Sequence, residues 1–199
     1  LGFAQAFGPG STADDNHGAT YGGKGALTTT TTYGDPKYPL SLGSGVNYGY
    51  GGSAIRLQSL DAVIVDGRVD MDGAGSYSGS GGSILIKADD ILGSGILNAS
   101  GIYGIWGASG GGGRIALHAI DELLFGGRIE SRGSDPFPSS GGSVYLNASN
   151  TIISPMAVSV IGKNGSSGSG QVINLTSTLI TLSGVHNASR FDRSDTAED

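Results

Sequence analysis

Cysteine, charge and long apolar runs are all scarce in this chain. None of the 199 residues is cysteine, which excludes a disulfide framework, a thiolate metal site and a cysteine nucleophile. Only 14% of the residues are charged, well below the usual quarter, and the formal net charge is −6. A negative surface disfavours nucleic acid, whose binding depends on Lys and Arg contacts with phosphates. No apolar run approaches the roughly 18 residues of a membrane-spanning helix, so we expect neither a nucleic-acid partner nor a membrane span.

Catalytic signatures are also missing. The three histidines lie far apart in the sequence, and no G-x-S-x-G nucleophile motif is present. Residues 66–72 place three aspartates near Arg56 and Arg68, as an acidic groove with a basic residue would. Two of these aspartates, however, alternate with apolar residues, as the outward residues of any strand do. We therefore expect a protein that is not an enzyme, and a polysaccharide lyase or hydrolase is the third-ranked function.

Helical spacing is absent from the greater part of the chain. Glycine is abundant, with 38 residues, but it does not recur at every third position and there are only 6 prolines, which excludes collagen. The sequence instead contains short segments in which apolar and polar side chains alternate, separated by Gly, Asp, Asn and Ser. Alternation with a period of two is typical of β-strands.

These segments recur at an almost constant interval. Residues 81–101, GGSILIKADDILGSGILNASG, form one unit of the repeat, and its apolar residues have counterparts at intervals of 29, 31, 29 and 29 residues. Two predicted core columns follow: Ile55, Ile84, Ile115, Val144 and Ile173, and then Leu57, Ile86, Leu117, Leu146 and Leu175. Two further apolar columns come later in each unit: Val63, Leu92, Leu123 and Ile152, and then Val69, Leu97, Ile129 and Val158.

Self-similarity at a fixed period is typical of a solenoid, in which each unit stacks on the next with like residues over like. The short strands cannot be stable alone and must pair with a neighbour. The sequence therefore predicts an all-β fold, a single-stranded parallel β-helix of about five coils of ~29 residues, over residues 51–189. A β-sandwich or barrel is the alternative, but neither needs one register across five units.

A column of acidic residues runs beside the apolar ones. Asp61, Asp90, Asp121 and Asn150 occupy matching positions in this alignment. Adjacent strands lie about 4.8 Å apart, so the carboxylates would repel one another unless a hard cation such as Ca²⁺ bridged them. The simpler alternative is that each Asp bonds the backbone of its own turn. We therefore expect no cofactor, and a calcium column at Asp61, Asp90 and Asp121 is the weaker candidate.

The two ends of the chain depart from the repeat. Residues 1–50 form an irregular N-terminal arm rich in Gly, Tyr and Thr. This arm either caps the open N-terminal end of its own β-helix or packs on a neighbouring copy. Residues 190–199 form a polar C-terminal tail, and no helical segment is predicted to cover the edge of the last coil. An uncovered strand edge invites pairing with another chain, and a head-to-tail contact that does not close produces a filament.

Five of the eight asparagines lie in N-x-[ST] sequons, the acceptor sequence for N-linked glycans. The predicted glycosylation sites are Asn98, Asn147, Asn164, Asn174 and Asn187. Alternation with inward residues predicts that the side chains of Asn98, Asn147 and Asn174 point outward, where a bulky glycan is tolerated. The alternative is that Asn, Ser and Thr simply fill solvent-facing turns.

The coils at residues 51–73, 81–101 and 112–133 resemble the glycine-rich β-helical repeats of secreted and cell-surface proteins, with units of the type GGS-I-x-L-x-A, G-x-I-x-A-x-G and GGGGRIAI. Residues 21–25 (YGGKG), 33–43 (YGDPKYPLSLG) and 110–117 (GGGGRIAL) resemble segments that accompany such repeats. The resemblance implies an extracellular or cell-surface role, adhesin-like or structural, and carries no catalytic residues over.

Together with the sequons and the open last coil, this resemblance leads us to expect an extracellular structural glycoprotein. Its partners would be covalent glycans and other copies of itself, joined head to tail into a homopolymeric filament. The alternative function is a cell-surface adhesin or carbohydrate-binding module.

Overall fold

The computed structural model describes residues 2–12, 17–77, 79–103, 109–135, 137–163, 172–188 and 190–191. Within these residues the chain is all-β and contains no helix. The strands stack as a parallel β-helix with about 29 residues between successive coils, so the fold predicted from the repeat is confirmed.

Each coil contributes three short strands, and four two-residue strands lie outside the coils. In the first half of the chain the strands are β1 (Gly49–Tyr50), β2 (Ala54–Gln58), β3 (Ala62–Ile64), β4 (Arg68–Asp70), β5 (Ala74–Gly75), β6 (Ser83–Ala88), β7 (Asp90–Gly93) and β8 (Ile96–Asn98). In the second half they are β9 (Arg114–Ala119), β10 (Glu122–Phe125), β11 (Arg128–Glu130), β12 (Ser143–Asn147), β13 (Thr151–Ser154), β14 (Ala157–Ser159), β15 (Gly162–Lys163), β16 (Val172–Thr176), β17 (Leu179–Leu182), β18 (His186–Asn187) and β19 (Arg190–Phe191).

The coil strands form three parallel sheets of five strands each. The first sheet has the order β16-β12-β9-β6-β2, the second β17-β13-β10-β7-β3, and the third β18-β14-β11-β8-β4. In the first sheet Ile55 pairs with Ile84, which pairs with Ile115, and the column continues through Val144 to Ile173. The column from Leu57 to Leu175 runs two residues further along the same strands. Both columns therefore have the register given by the sequence alignment.

Apolar side chains fill the interior between the three sheets. They form one continuous cluster of fully buried residues, which includes Ile84, Ile86, Ile115 and Leu117 of the first sheet and inward-facing residues of the other two sheets. Residues of the first and fifth coils, such as Leu57 and Leu175, are only partly buried against it. Burial of the apolar columns is the main favourable term available to strands of this length.

The predicted register is wrong by one residue in the second sheet of the second coil. Val63 pairs with Ile91, not Leu92, and Ile91 is the fully buried residue. Between the position of Gln58 in the first sheet and the position of Ala62 in the second, three residues intervene in the first, third and fourth coils, but only two, Ala88 and Asp89, intervene in the second. A fixed period carried across this shorter turn shifts every later residue of β7 by one position, which reverses its facing.

The N-terminal arm lies along the flank of its own β-helix. Backbone hydrogen bonds join Gly43 to Gly52, Ala19 to Gly111, and Lys24 to Ser140, so the arm touches the first, third and fourth coils in turn. The arm therefore packs against several coils of its own chain, an arrangement that the two alternatives expected from the sequence did not include.

Candidate functional site

The arm is seated on a corner built from stacked glycine pairs. We call this the glycine corner: it consists of Gly51–Gly52, Gly81–Gly82, Gly112–Gly113 and Gly141–Gly142, all of which are buried. Gly23 donates its N–H to the carbonyl of Gly112 at 2.8 Å, and Gly43 donates to Gly52 at 2.9 Å. A Cβ on Gly51 would overlap the carbonyl oxygen of Gly43. Only glycine lets these two backbones approach so closely.

Past the corner, the arm covers the outer face of the first sheet. Ser83 donates its hydroxyl to the carbonyl of Ser41 at 2.6 Å and lies 2.6 Å from the Tyr21 hydroxyl. Arg114 donates from Nε to the carbonyl of Tyr33 at 3.0 Å, and its guanidinium lies 5.5 Å from the centre of the Tyr21 ring. The arm therefore buries the outer face of β6 and β9 almost completely.

Arg114 is a buried cation, and no carboxylate of the described residues forms an ion pair with it. Its hydrogen bonds go to the Tyr33 carbonyl and, from Nη1, to the Ser143 hydroxyl at 3.1 Å. Burial lowers its pKa from the usual value, while nearby Tyr21 and Asp35 act in the opposite direction. Burial also raises the pKa of Tyr21. The positively charged guanidinium of Arg114 therefore lies beside a neutral Tyr21 ring.

Three rings form what we call the aromatic cluster: Tyr38 of the arm, His118 of β9 and Tyr145 of β12. Tyr38 and His118 are stacked, with ring centroids 4.7 Å apart and planes 6° from parallel. His118 and Tyr145 are tilted by 36° at 5.2 Å. Two ammonium groups flank the cluster, Lys87 at 5.6 Å from the Tyr38 ring and Lys37 at 5.7 Å from the Tyr145 ring.

The environment of this cluster favours the neutral form of His118. Its Nε2 lies 2.6 Å from the carbonyl of Lys37, which can only accept, so Nε2 carries the proton. Burial lowers the pKa of His118, Lys87 and Lys37 lower it further, and the carbonyl contact and Asp35 oppose the shift. Protonation of the ring is therefore disfavoured while the arm is seated.

A groove of about 300 Å³ opens beside the aromatic cluster, at the turns between the first and second sheets. Gln58, Lys87, His118 and Asn147 line it and occupy the same position in four consecutive strands. The groove consequently runs parallel to the axis of the β-helix. Tyr38, which is 49% exposed, forms part of its wall.

The third sheet carries a ladder of polar side chains on its outer face. Asp70, Asn98, Glu130 and Ser159 are register partners in consecutive strands. Glu130 forms ion pairs with Arg128 and, at 2.9 Å, with Arg132, while Arg68 pairs with Asp70. Arginine therefore offsets the negative charge along this face.

Asp72 is the most perturbed carboxyl of that face. It accepts hydrogen bonds at 2.7 Å from Nδ2 of Asn98 and from the backbone N–H of Ser100. Burial raises the pKa of Asp72 to about 6, and Asp70 contributes to the increase while the Ser100 hydrogen bond and Arg68 oppose it. Asp72 belongs to residues 66–72, whose aspartates resembled an acidic groove in the sequence. In the structure it is part of a hydrogen-bonded surface beside the third sheet.

The five sequons have different surroundings. Asn98 points away from the interior, as expected, but it is only 6% exposed because Asp72 and Ser100 bind its side-chain amide. Asn147 and Asn187 are half-buried. Asn174 pairs through its backbone with Tyr145, and Asn164 lies outside the described residues. Asn147 and Asn187 each line an open groove.

The register of the acidic column differs from the sequence alignment in the second coil. Backbone hydrogen bonds connect Asp61 to Asp89, and Asp89 to Asp121, so Asp89 occupies the acidic column and Asp90 belongs to the next one. The two-residue turn of the second coil causes this shift as well. Within the described ranges, no group of three or more His, Asp or Glu side chains comes together to hold a metal ion.

In the described part of the β-helix, inward-facing apolar residues are less completely buried in the first and fifth coils than in the coils between them. In the second sheet, Ile91, Leu123 and Ile152 are fully buried, whereas Ile180, the next residue of that column, is 39% exposed. Each strand of the first and fifth coils lies at the edge of its sheet among the described strands.

Sequence reasoning missed the aromatic cluster and the groove. Tyr38 and His118 are 80 positions apart, and no local pattern connects them. The sequence shows the glycines before the first strands and the tyrosines of the arm as separate features. Their contacts with each other follow only from the fold.

Comparison with known proteins leaves the fold and the site to be interpreted from their own geometry. No family model matches the chain, and neither a curated protein nor a solved structure matches it. None of the described segments forms a helix long and apolar enough to cross a membrane.

Proposed function

We propose that this chain is a structural rather than enzymatic protein of the cell exterior, a subunit of a filament in which β-helices stack end to end. The observation that carries the proposal is the incomplete burial of inward-facing residues in the first and fifth described coils, with Ile180 of the fifth coil 39% exposed. Unpaired strand edges and exposed apolar surface both favour association with a further strand.

The two ends are complementary to each other. Placing β2 of one copy beside β16 of the next would continue the first sheet, since both strands have five residues. The apolar columns would then continue as well, with Ile55 beside Ile173 and Leu57 beside Leu175. A contact between two different surfaces is heterologous, and its repetition produces an open chain of subunits unless it closes into a ring.

Charge does not oppose this contact. The strands of the fifth coil, VINLT, LITL and HN, contain no Asp, Glu, Lys or Arg. The first coil has Arg56, Arg68 and Asp70 on its outer faces, so stacking would bring no like charges together. Desolvation of charged groups, the usual cost of an interface, is thereby small.

The sequon density supports the extracellular part of the proposal, because N-linked glycans are added in the secretory pathway. A glycan on Asn147, a half-buried residue on the side of the fourth coil, would leave the two ends accessible. Lateral glycans are thus compatible with stacking along the axis.

The test is electron microscopy and sedimentation velocity of the purified chain over a range of concentrations. We expect unbranched linear assemblies for the wild type and monomers for Ile180→Asp, because stacking would bury the new carboxylate without a partner. Thr181→Asp is the matched control, since it adds the same charge to the same strand on the opposite face. A wild type that stays monomeric at every concentration, or an Ile180→Asp variant that assembles normally, would overturn the proposal.

A further inference from the structure

We propose that the groove beside the aromatic cluster binds a neutral, linear saccharide chain that runs parallel to the β-helix axis. This inference is independent of filament formation, because the outward-facing side chains that line the groove are on the side of the β-helix and are not the inward-facing columns that would stack. It starts from the shape of the groove, which crosses four coils in one straight line.

Polar groups line the groove at regular steps. Gln58, Lys87, His118 and Asn147 follow one another at the strand spacing of about 4.8 Å. Together they offer amide donors, amide acceptors and an ammonium group along one edge. A polymer with a hydroxyl group on every unit can satisfy such a row, whereas a compact ligand would contact only part of it.

Tyr38 supplies an apolar flat surface next to this polar row. Its ring is stacked on His118 on one side and is half-exposed. Exposed aromatic rings pack well against ligands that have an apolar face and a polar edge. The C–H face of a sugar ring combined with its hydroxyl edge meets both requirements, as a purely apolar or purely ionic ligand would not.

The charges around the groove favour a neutral ligand. Lys87 is the only permanently charged residue among those that line it. Asp61 and Asp121 directly follow Leu60 and Ile120 of the lining in the sequence, and Lys37 lies near the Tyr145 ring of the adjoining cluster, so charges of both signs lie near the groove. With a net charge of −6 on the whole chain, a polyanionic saccharide would be repelled.

Two sources can supply this ligand. One is a separate polysaccharide, and the other is a glycan on Asn147 of the chain itself, because Asn147 and Ser149 of that sequon both line the groove. The chemistry of recognition is the same in both cases, and the production host distinguishes them.

The first arm uses protein made in bacteria, which carries no N-linked glycan. Calorimetric titration with neutral oligosaccharides of glucose, N-acetylglucosamine, xylose and mannose, and with an oligo-uronate, tests the separate ligand. We expect saturable binding of a neutral oligomer, reduced about tenfold by Lys87→Gln and by Asn147→Ala, the loss of one hydrogen bond to a polar ligand in each case. Arg128→Gln removes the same charge on another face and should leave binding unchanged.

The second arm uses protein secreted from eukaryotic cells. A glycan on Asn147 that lies in the groove should resist a peptide N-glycanase in the folded protein and be released after denaturation. Its presence should also abolish binding of the added oligosaccharide.

The two arms together decide the proposal. It is overturned if no neutral oligomer binds in the first arm and the Asn147 glycan is absent or fully accessible in the second. It is equally overturned if binding is unaffected by both groove variants, or if the oligo-uronate binds more tightly than every neutral oligomer. Thermal melting of each variant confirms that the fold is intact.

Discussion

The ring of Tyr38 lies flat on the ring of His118, with centroids 4.7 Å apart, and so joins the N-terminal arm to the third coil of the β-helix. The contact is reinforced because Nε2 of His118 donates to the carbonyl of the neighbouring Lys37 at 2.6 Å. The arm is thus fixed at two places, by backbone hydrogen bonds at the glycine corner and by side chains at the aromatic cluster.

Replacing Tyr38 with alanine should loosen the arm without unfolding the coils. The change removes a stacked pair and the contact with Lys87, a loss of about 1–2 kcal/mol. Hydrogen exchange should accelerate in residues 33–41 and remain slow in β9 and β10. Leu40→Ala, at a side chain that is also half-exposed but belongs to none of the ring contacts, is the control. Unchanged exchange in residues 33–41 would contradict the role of the ring stack.

The glycine corner should reject a methyl group where the arm crosses it. Gly51→Ala forces the new Cβ into the carbonyl of Gly43, and overpacking of this kind costs about 1–3 kcal/mol. Gly67→Ala is the matched control, because no heavy atom lies within 4 Å of its Cβ position. Urea denaturation should show a clear loss of stability for the first variant only. Equal losses would mean that conformational freedom, not close backbone approach, selects glycine at the corner.

Asp72 should make the protein less stable as the pH rises. Burial raises its pKa to about 6 in the folded state from an ordinary value of 3.8, so the unfolded chain releases this proton first. The contribution of this carboxyl is fully present below the unfolded value and is lost as the pH rises through about 6.

The measurement is the difference in free energy of unfolding between the wild type and Asp72→Asn across this interval. The asparagine keeps the shape of the side chain but cannot ionise, so we expect the difference to shift against the wild type between about pH 4 and about pH 7. A difference that is constant with pH, or that shifts in favour of the wild type, would contradict the raised pKa.

The sequence contained enough information for the core of the fold. The columns through Ile84 and Ile86 could be aligned because the first strand of each of the first four coils follows a glycine pair, which marks its start. The register failed only beyond the turn at Ala88 and Asp89, where one residue fewer leaves no local signal. A period identifies a solenoid, but the length of each turn decides which residue of the next strand points inward.

The arm could not be placed from the sequence, because its position depends on contacts across long separations. Tyr21 of the YGGKG segment meets Arg114 of the GGGGRIAL segment, and Tyr33 of the YGDPKYPLSLG segment provides the carbonyl that Arg114 binds. The three segments were recognised as companions of such repeats, yet nothing in their residues showed that they form one buried contact. Burial of Asn98 was missed for the same reason, since Asp72 comes from the preceding coil.

Truncating one leucine column at its middle and at its end should show that the ends of the β-helix are open. Leu117 is fully buried in the third coil, whereas Leu57, in the same column of the first coil, is only partly buried. Leu117→Ala should cost about 2–5 kcal/mol, because it removes buried methyl groups and leaves a cavity, and Leu57→Ala should cost clearly less. The measurement is urea denaturation at a concentration where sedimentation shows monomers. Equal costs under these conditions would mean that the first coil is covered in the monomer, and a cost at Leu57 that grows with protein concentration is the result expected if copies stack on that end.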